Sequence, residues 1–242
     1  MKNIIKYILL YFSSIIHHNK KSKILFYHDI YSDKKYTGMS TAVETFIQHI
    51  KVIQDNGFTI TNKILKDENE VMICFDDGFK GIYENRNVFI KNNFRPTVFI
   101  AISLIGKPGY LNKKEILELQ DLGFNFQCHA WSHVDLTSFS KDGLYKELYE
   151  SRIELEKILN KSVDEICFPI GYFSKLVLNE CKRYGYKTMY SSIPGNYFDE
   201  IYTDGLKTRN LVQFSSSKEV KAVLLGGNEI IRNRYIKLHL KG

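Results

Sequence analysis

The chain has 242 residues, 44% hydrophobic and 25% charged, which is enough to bury one full core and too ordinary for a disordered, collagenous or multi-span membrane protein. Its formal charge of +7 suits a phosphate-bearing substrate or an anionic membrane surface, but the lysines are scattered and no basic-aromatic module marks a nucleic-acid binder. Four cysteines without a C-x-x-C pair exclude a zinc knuckle and a dithiol redox motif. Read as buried free thiols, they favour a reducing compartment, the cytoplasm, with the cell envelope as the alternative.

Residues 1–22 read as an amphipathic N-terminal helix. Ile5, Ile8, Leu9, Phe12, Ile15 and Ile16 recur at helical spacing, while Asn3, Lys6, Ser13, Ser14 and His17 collect on another face, and Lys20, Lys21 and Lys23 follow. Lys6 and Ser13-Ser14 interrupt the apolar run well short of the ~20 residues that a spanning helix needs, and no small-residue cleavage site follows. Two placements suit such a segment: peripheral, in a membrane interface, or packed against the domain.

Residues 23–242 form one expected domain, in which β-rich runs alternate with helical stretches as in a parallel sheet or barrel wrapped by helices. Ile24 to Tyr27 is the first predicted strand. Thr41-Ala42-Val43-Glu44 has the form of a capping box before a helix ending at Asn56-Gly57. Strands follow at Val71 to Phe75 and Pro96 to Ile100. Asn112 and Glu115 open a helix that stops at Gly123, before a strand at Phe124 to Cys128. A long helix from Ser140 to Asn160 precedes the strand Glu165 to Phe168, and a helix capped by Ser174 closes at Gly185, before the strand Lys187 to Tyr190.

Three motifs sit just past strand ends, the face on which α/β barrels build their sites. Phe75-Asp76-Asp77-Gly78 doubles a carboxylate after the apolar run Met72-Ile73-Cys74, and two such charges repel unless a cation or hydrogen bonds compensate them. His129 and His133, in an apolar context with Trp131 between them, can reach one ion from a loop or from one helix face. Phe168-Pro169-Ile170-Gly171 carries no ionisable group, but a Pro-Gly turn at a strand end can aim a backbone N–H at a ligand. Together they make the equipment of metal-assisted hydrolysis.

In order and content these motifs resemble the polysaccharide deacetylase family, the NodB-homology or carbohydrate esterase family 4 domain, over about Lys23 to Arg209. The resemblance implies a single distorted (β/α) barrel and a metal-dependent deacetylase. Its substrate would be an N-acetylated sugar of a bacterial surface polysaccharide or of its precursor. Asp77, His129 and His133 would hold a divalent ion such as zinc, Asp76 would be the general base, and the Ile170 N–H would stabilise the oxyanion. Phe26-Tyr27-His28-Asp29, in the first strand, resembles the family's acid motif in the permuted arrangement of the poly-N-acetylglucosamine branch, which makes His28 the candidate acid. His239, near the C-terminus where the unpermuted motif would lie, is the competitor. His17, His18 and His49 receive no chemistry.

Ala130 replaces the family's Ser or Thr, the third motif lacks its leading Arg, and no Trp marks a fourth motif; Arg209 is the candidate to replace that Arg by steadying Asp76. Two alternatives remain beside the deacetylase reading. One is an O-acetyl esterase or N-deformylase acting on a lipid-linked sugar, and the other is a catalytically silent carbohydrate-binding protein.

Overall fold

The computed structural model describes residues 2–202 and 205–241. Its strands are β1 (Lys23–Tyr27), β2 (Asp29–Tyr31), β3 (Ser40–Ala42), β4 (Thr59–Thr61), β5 (Glu70–Phe75), β6 (Thr97–Ile100), β7 (Asn125–Cys128), β8 (Glu165–Cys167), β9 (Thr188–Tyr190), β10 (Leu206–Lys207) and β11 (Asn210–Leu211). The helices are α1 (Lys2–Ile16), α2 (Val43–Asp55), α3 (Gly81–Glu84), α4 (Arg86–Lys91), α5 (Lys113–Asp121), α6 (Lys141–Leu144), α7 (Ser151–Leu159), α8 (Lys175–Arg183), α9 (Ser217–Leu224) and α10 (Glu229–His239).

Among the described residues, nine strands form one parallel sheet in the order β10-β9-β8-β7-β6-β5-β1-β11, with β4 also paired to β5. The two ends of that path, β10 and β11, are joined by Thr208 and Arg209 alone, a link that spans at most about 11 Å. The sheet therefore curls until its two edge strands come within that distance of each other, giving a distorted barrel.

The pleat sorts each strand's side chains into two cores. Ile24, Phe26, Met72, Cys74, Phe99, Cys167 and Tyr190 pack together inside the barrel. Their strand neighbours Leu25, Tyr27, Ile73 and Phe75 belong instead to the larger core beneath the helices, with Phe46 of α2 and Phe89 of α4. All four cysteines are free and buried.

Several local expectations change. No capping box forms at Thr41: Ala42 is the N-cap of α2 without a side-chain bond, and the Thr41 hydroxyl donates to Gln213 O at 2.9 Å, because residues 40–42 are drawn into a short parallel pairing with β2. The box at Asn112 and Glu115 does form. The long helical run after Ser140 is interrupted by a π-helical stretch, Tyr145–Glu150, between α6 and α7. His239 ends a helix, and the backbone there is tied to the loop before α8: Phe173 N–H donates to His239 O at 3.0 Å and Lys241 N–H to Phe173 O at 2.9 Å.

The N-terminal helix packs on α9 and α10 with its hydroxyl-bearing side. Ser13 and Leu10 are buried while Ile5, Ile8, Leu9, Phe12, Ile15 and Ile16 face outward. The side chains of Asn3 and Lys6 lie outside the described residues. Among the described residues no helix is long and apolar enough to cross a membrane.

Candidate active site

Strand register brings the motifs together. Tyr27 is paired with Phe75, so His28 and Asp76 leave neighbouring strands at the same level, where the Asp76 N–H donates to Tyr27 O at 3.0 Å. Ile100 is paired with Cys128, so His129 emerges beside them, its N–H donating to Ile100 O at 2.8 Å. Asp76, Asp77, His129, His133, Ile170 and His28 all line one cavity of about 350 Å³ at the carboxyl ends of the strands, and His239 lines it too. Both acid candidates thus reach the same cavity.

The backbone is held in disfavoured shapes at this rim. Asp77 (φ 70°), Ala130 (φ 62°), His133 (φ 57°) and Ile170 (φ 62°) are all left-handed, a cost that clusters at functional sites because the surroundings impose it. Gly78 is left-handed as well, at φ 75°, and a Cβ there would lie 2.5 Å from Ile100 Cδ1, so any other residue would be strained and would have to displace the buried Ile100 side chain.

Asp77 Oδ1 is 3.2 Å from His129 Nε2 and 2.9 Å from His133 Nε2. Neither imidazole is aligned to hydrogen-bond it, so this buried carboxylate oxygen has no hydrogen-bond partner. His129 Nδ1 lies 2.8 Å from Cys167 O, an acceptor only, so Nδ1 carries a proton and Nε2 is the ring atom turned toward Asp77. An orphan carboxylate oxygen facing two imidazole nitrogens fits a divalent cation with nitrogen and oxygen ligands. Burial alone would push the Asp77 carboxyl up, but the two histidines outweigh it and hold the group far below the usual carboxylate range; burial pulls His133 down while Asp77 more than restores it, for a net rise.

Asp76, His129 and Cys167 also come within ligand spacing of one another. That set is the poorer one. Burial holds the Cys167 thiol well above its ordinary value, and Asp76 is committed elsewhere.

Arg209 grips Asp76 from the barrel seam. Its Nη1 is 2.6 Å from Oδ1 and its Nη2 2.9 Å from Oδ2, Nε donates to Ser191 O at 3.0 Å, and the guanidinium stacks 4.2 Å over Phe26. Both partners are buried. Burial raises the Asp76 carboxyl, yet the charge and hydrogen bonds of Arg209 win and keep it ionised.

Three residues at the site escape a reading by motif. Gln213 Oε1 lies 2.6 Å from His28 Nδ1 and orients that ring, whereas Asp29 turns away to accept from Ser40 Oγ at 2.8 Å. Tyr235 lines the cavity and stacks on His239, whose Nδ1 lies 2.9 Å from Tyr235 O. Glu147, on the π-helical stretch, accepts from the Trp131 N–H at 3.1 Å, the Ser132 N–H at 3.0 Å and the Ser132 hydroxyl at 2.6 Å, fixing the turn between the two histidines. The available signal for Glu147 was an acid on the apolar face shared with Leu144 and Leu148. Nothing in the sequence pointed to Gln213. His49 proves structural, bonded to Tyr27 Oη at 3.0 Å and Ser215 O at 2.8 Å beneath the barrel wall.

A curled parallel barrel, with an Asp-His-His cluster and a second carboxylate at its mouth, defines the NodB-homology class. The chain belongs to the polysaccharide deacetylase family, whose model, described as polysaccharide deacetylase, matches residues 63–189, more than half of its length. The peptidoglycan-N-acetylmuramic acid deacetylase PdaA of Bacillus subtilis (strain 168) is 30% identical over 130 residues, 52% of this chain and 48% of that protein. The match thus spans about half the length of that relative. Among solved structures, the Streptococcus pyogenes deacetylase PplD in complex with acetate superimposes with a TM-score of 0.73 at 22% identity, covering 84% of this chain and 98% of that one. IcaB from Ammonifex degensii gives 0.74 at 16% identity, covering 86% and 98%. At these identities the likeness is one of fold.

Proposed function

We propose that the protein is a metal-dependent deacetylase that hydrolyses an N-acetyl group on a sugar of a bacterial surface polysaccharide or its precursor. One observation carries this reading: the unpartnered Asp77 oxygen facing two imidazole nitrogens, in the same cavity as an Arg-held second carboxylate. Family membership and the likeness to PdaA support the substrate class. The four free thiols support a cytoplasmic location.

Asp77, His129 and His133 would hold the ion, zinc by its donor set. When bound, a divalent ion polarises the acetamide carbonyl and acidifies water. Asp76, kept ionised and aligned by Arg209, accepts a proton from the attacking water. The Ile170 N–H, on its left-handed turn at the cavity wall, donates to the oxygen that becomes negative as the carbonyl turns tetrahedral. His28, with Nδ1 engaged by Gln213, has Nε2 free to deliver a proton to the departing amine, and acetate leaves.

Metal analysis of the purified chain, together with acetate release from N-acetylglucosamine oligomers and N-acetylated sugar precursors, tests the proposal, with O-acetyl and N-formyl sugars as comparators. One equivalent of metal and acetate from the N-acetyl substrates are expected, both lost in His129→Ala. Release from O-acetyl or N-formyl substrates alone, or full metal occupancy in His129→Ala, would overturn it.

A further inference from the structure

The N-terminal helix is mounted inside out relative to an ordinary surface helix. A surface helix buries its apolar stripe; here Ser13 is fully buried, while Phe12 is 57% and Ile16 74% exposed. Close contact enforces that orientation. Ser13 Oγ donates to Gly226 O at 3.4 Å, and a Cβ on Gly227 would lie 2.7 Å from Leu10 O, so the backbones of α1 and of the turn after α9 touch directly. The helix cannot roll its isoleucines inward without breaking this seat. What remains outside is a continuous apolar strip from Ile5 to Ile16, about 17 Å long, larger than the scattered apolar residues of a normal surface.

Charge says what covers the strip. Between Met1 and His28 there is no acidic residue, and Lys20 and Lys21, both exposed, follow the helix. Along the flank of α1, a hollow of about 240 Å³ is lined by Tyr7, Tyr11 and Ser14 on one side and by the exposed Lys218 and Lys221 of α9 on the other. Hydroxyls and ammonium groups beside an apolar face match a phosphodiester headgroup above acyl chains. A protein partner would need acidic groups set around an apolar groove; a bilayer supplies both as a plane, which suits a single exposed helix face.

We propose that the outward face of α1, with Lys218 and Lys221 beside it, seats the protein on the surface of an anionic phospholipid bilayer. Ile8, Phe12 and Ile16 enter the boundary between headgroups and chains, while the two lysines engage lipid phosphates. α1 and α9 run in the same direction, with Tyr7 and Lys218 lining one hollow and Ser13 meeting Gly226, so the lysines of α9 flank the apolar strip along its length. This seat does not depend on the deacetylase reading.

Co-sedimentation of the full chain with phosphatidylcholine vesicles, with and without phosphatidylglycerol, tests it. Binding is expected on the anionic vesicles and should weaken as salt is raised. Replacing both lysines (Lys218→Gln with Lys221→Gln) should cut partitioning about 30-fold. Phe12→Ser with Ile16→Ser should reduce it at least ~10-fold, with the thermal unfolding transition unchanged, since these side chains touch little of the fold. Equal binding to both vesicle types, unaltered binding by either variant, or a wild-type chain that stays in the supernatant would overturn the proposal. So would a solution dimer abolished by Phe12→Ser, which would assign the face to a second copy.

Discussion

Glu147→Gln is the substitution that separates a barrel from a working site. Glu147 is 4% exposed and its carboxylate takes three hydrogen bonds from Trp131 and Ser132, the residues between the two candidate metal ligands. A bond to a charged acceptor contributes about 1.5–3 kcal/mol and one to a neutral acceptor about 0.5–1.5, so an isosteric amide gives up about 3 kcal/mol over the three. For a chain of this length that corresponds to a fall of about 6–12 °C in Tm. The same bonds hold a turn in which Ala130 and His133 are left-handed, at φ 62° and 57°. Each such residue is disfavoured by about 1–2 kcal/mol, and that strain persists only while the surroundings impose it. Released, the turn relaxes and His133 leaves Asp77, so metal affinity should drop about 10–100-fold, the usual effect of losing an outer support of a ligand. Thermal unfolding of the metal-free protein and calorimetric titration with zinc read the two effects separately. A lower Tm with wild-type metal affinity would refute the coupling of Glu147 to the site, and an unchanged Tm would refute the hydrogen-bond accounting itself.

Asp76→Asn should keep the ion and lose turnover by ~10²–10⁴-fold, since the amide fills the same space but accepts no proton; loss of metal instead would show that the two carboxylates had been exchanged. His28→Ala should lower acetate release by ~10²–10⁴-fold with metal retained, and His239→Ala far less; the reverse ranking would hand the acid role to the C-terminal helix. Buried Lys23, whose ammonium donates to Asn19 Oδ1 and Lys21 O at 2.8 Å each, is pulled down to about 7 by burial, despite Glu229 and Asp199. The folded state then holds fewer protons than the unfolded one between about 7 and 10.5, so Lys23 should make stability rise with pH across that window and penalise the fold below it. Lys23→Met should therefore be the more stable protein at neutral pH, by up to roughly 4 kcal/mol, and lose that lead as pH approaches 10.5. Urea unfolding midpoints measured across the window decide it, and a lead that grows with pH would refute the assignment.

The sequence by itself determined the parts of the site that depend on local rules. Apolar runs ending in Asp76-Asp77-Gly78, His129 and Pro169 announced strand ends, because alternation and turn residues are properties of a few consecutive positions, and the residue types already carried the chemistry of a divalent ion. His28 was legible only through its resemblance to a displaced acid motif. Tertiary structure alone decided that β1 lies between β5 and β11, which sets His28 beside Asp76. It also joined Arg209 to a carboxylate 133 positions away. That contact depends on the sheet curling until residues 208–209 can link its two edge strands, a long-range event that no periodicity encodes. The same holds for α1: its amphipathic pattern gave two faces, but which face turned inward was settled by the fit of its backbone against Gly226 and Gly227, where close approach of main chains outweighed the burial of isoleucine.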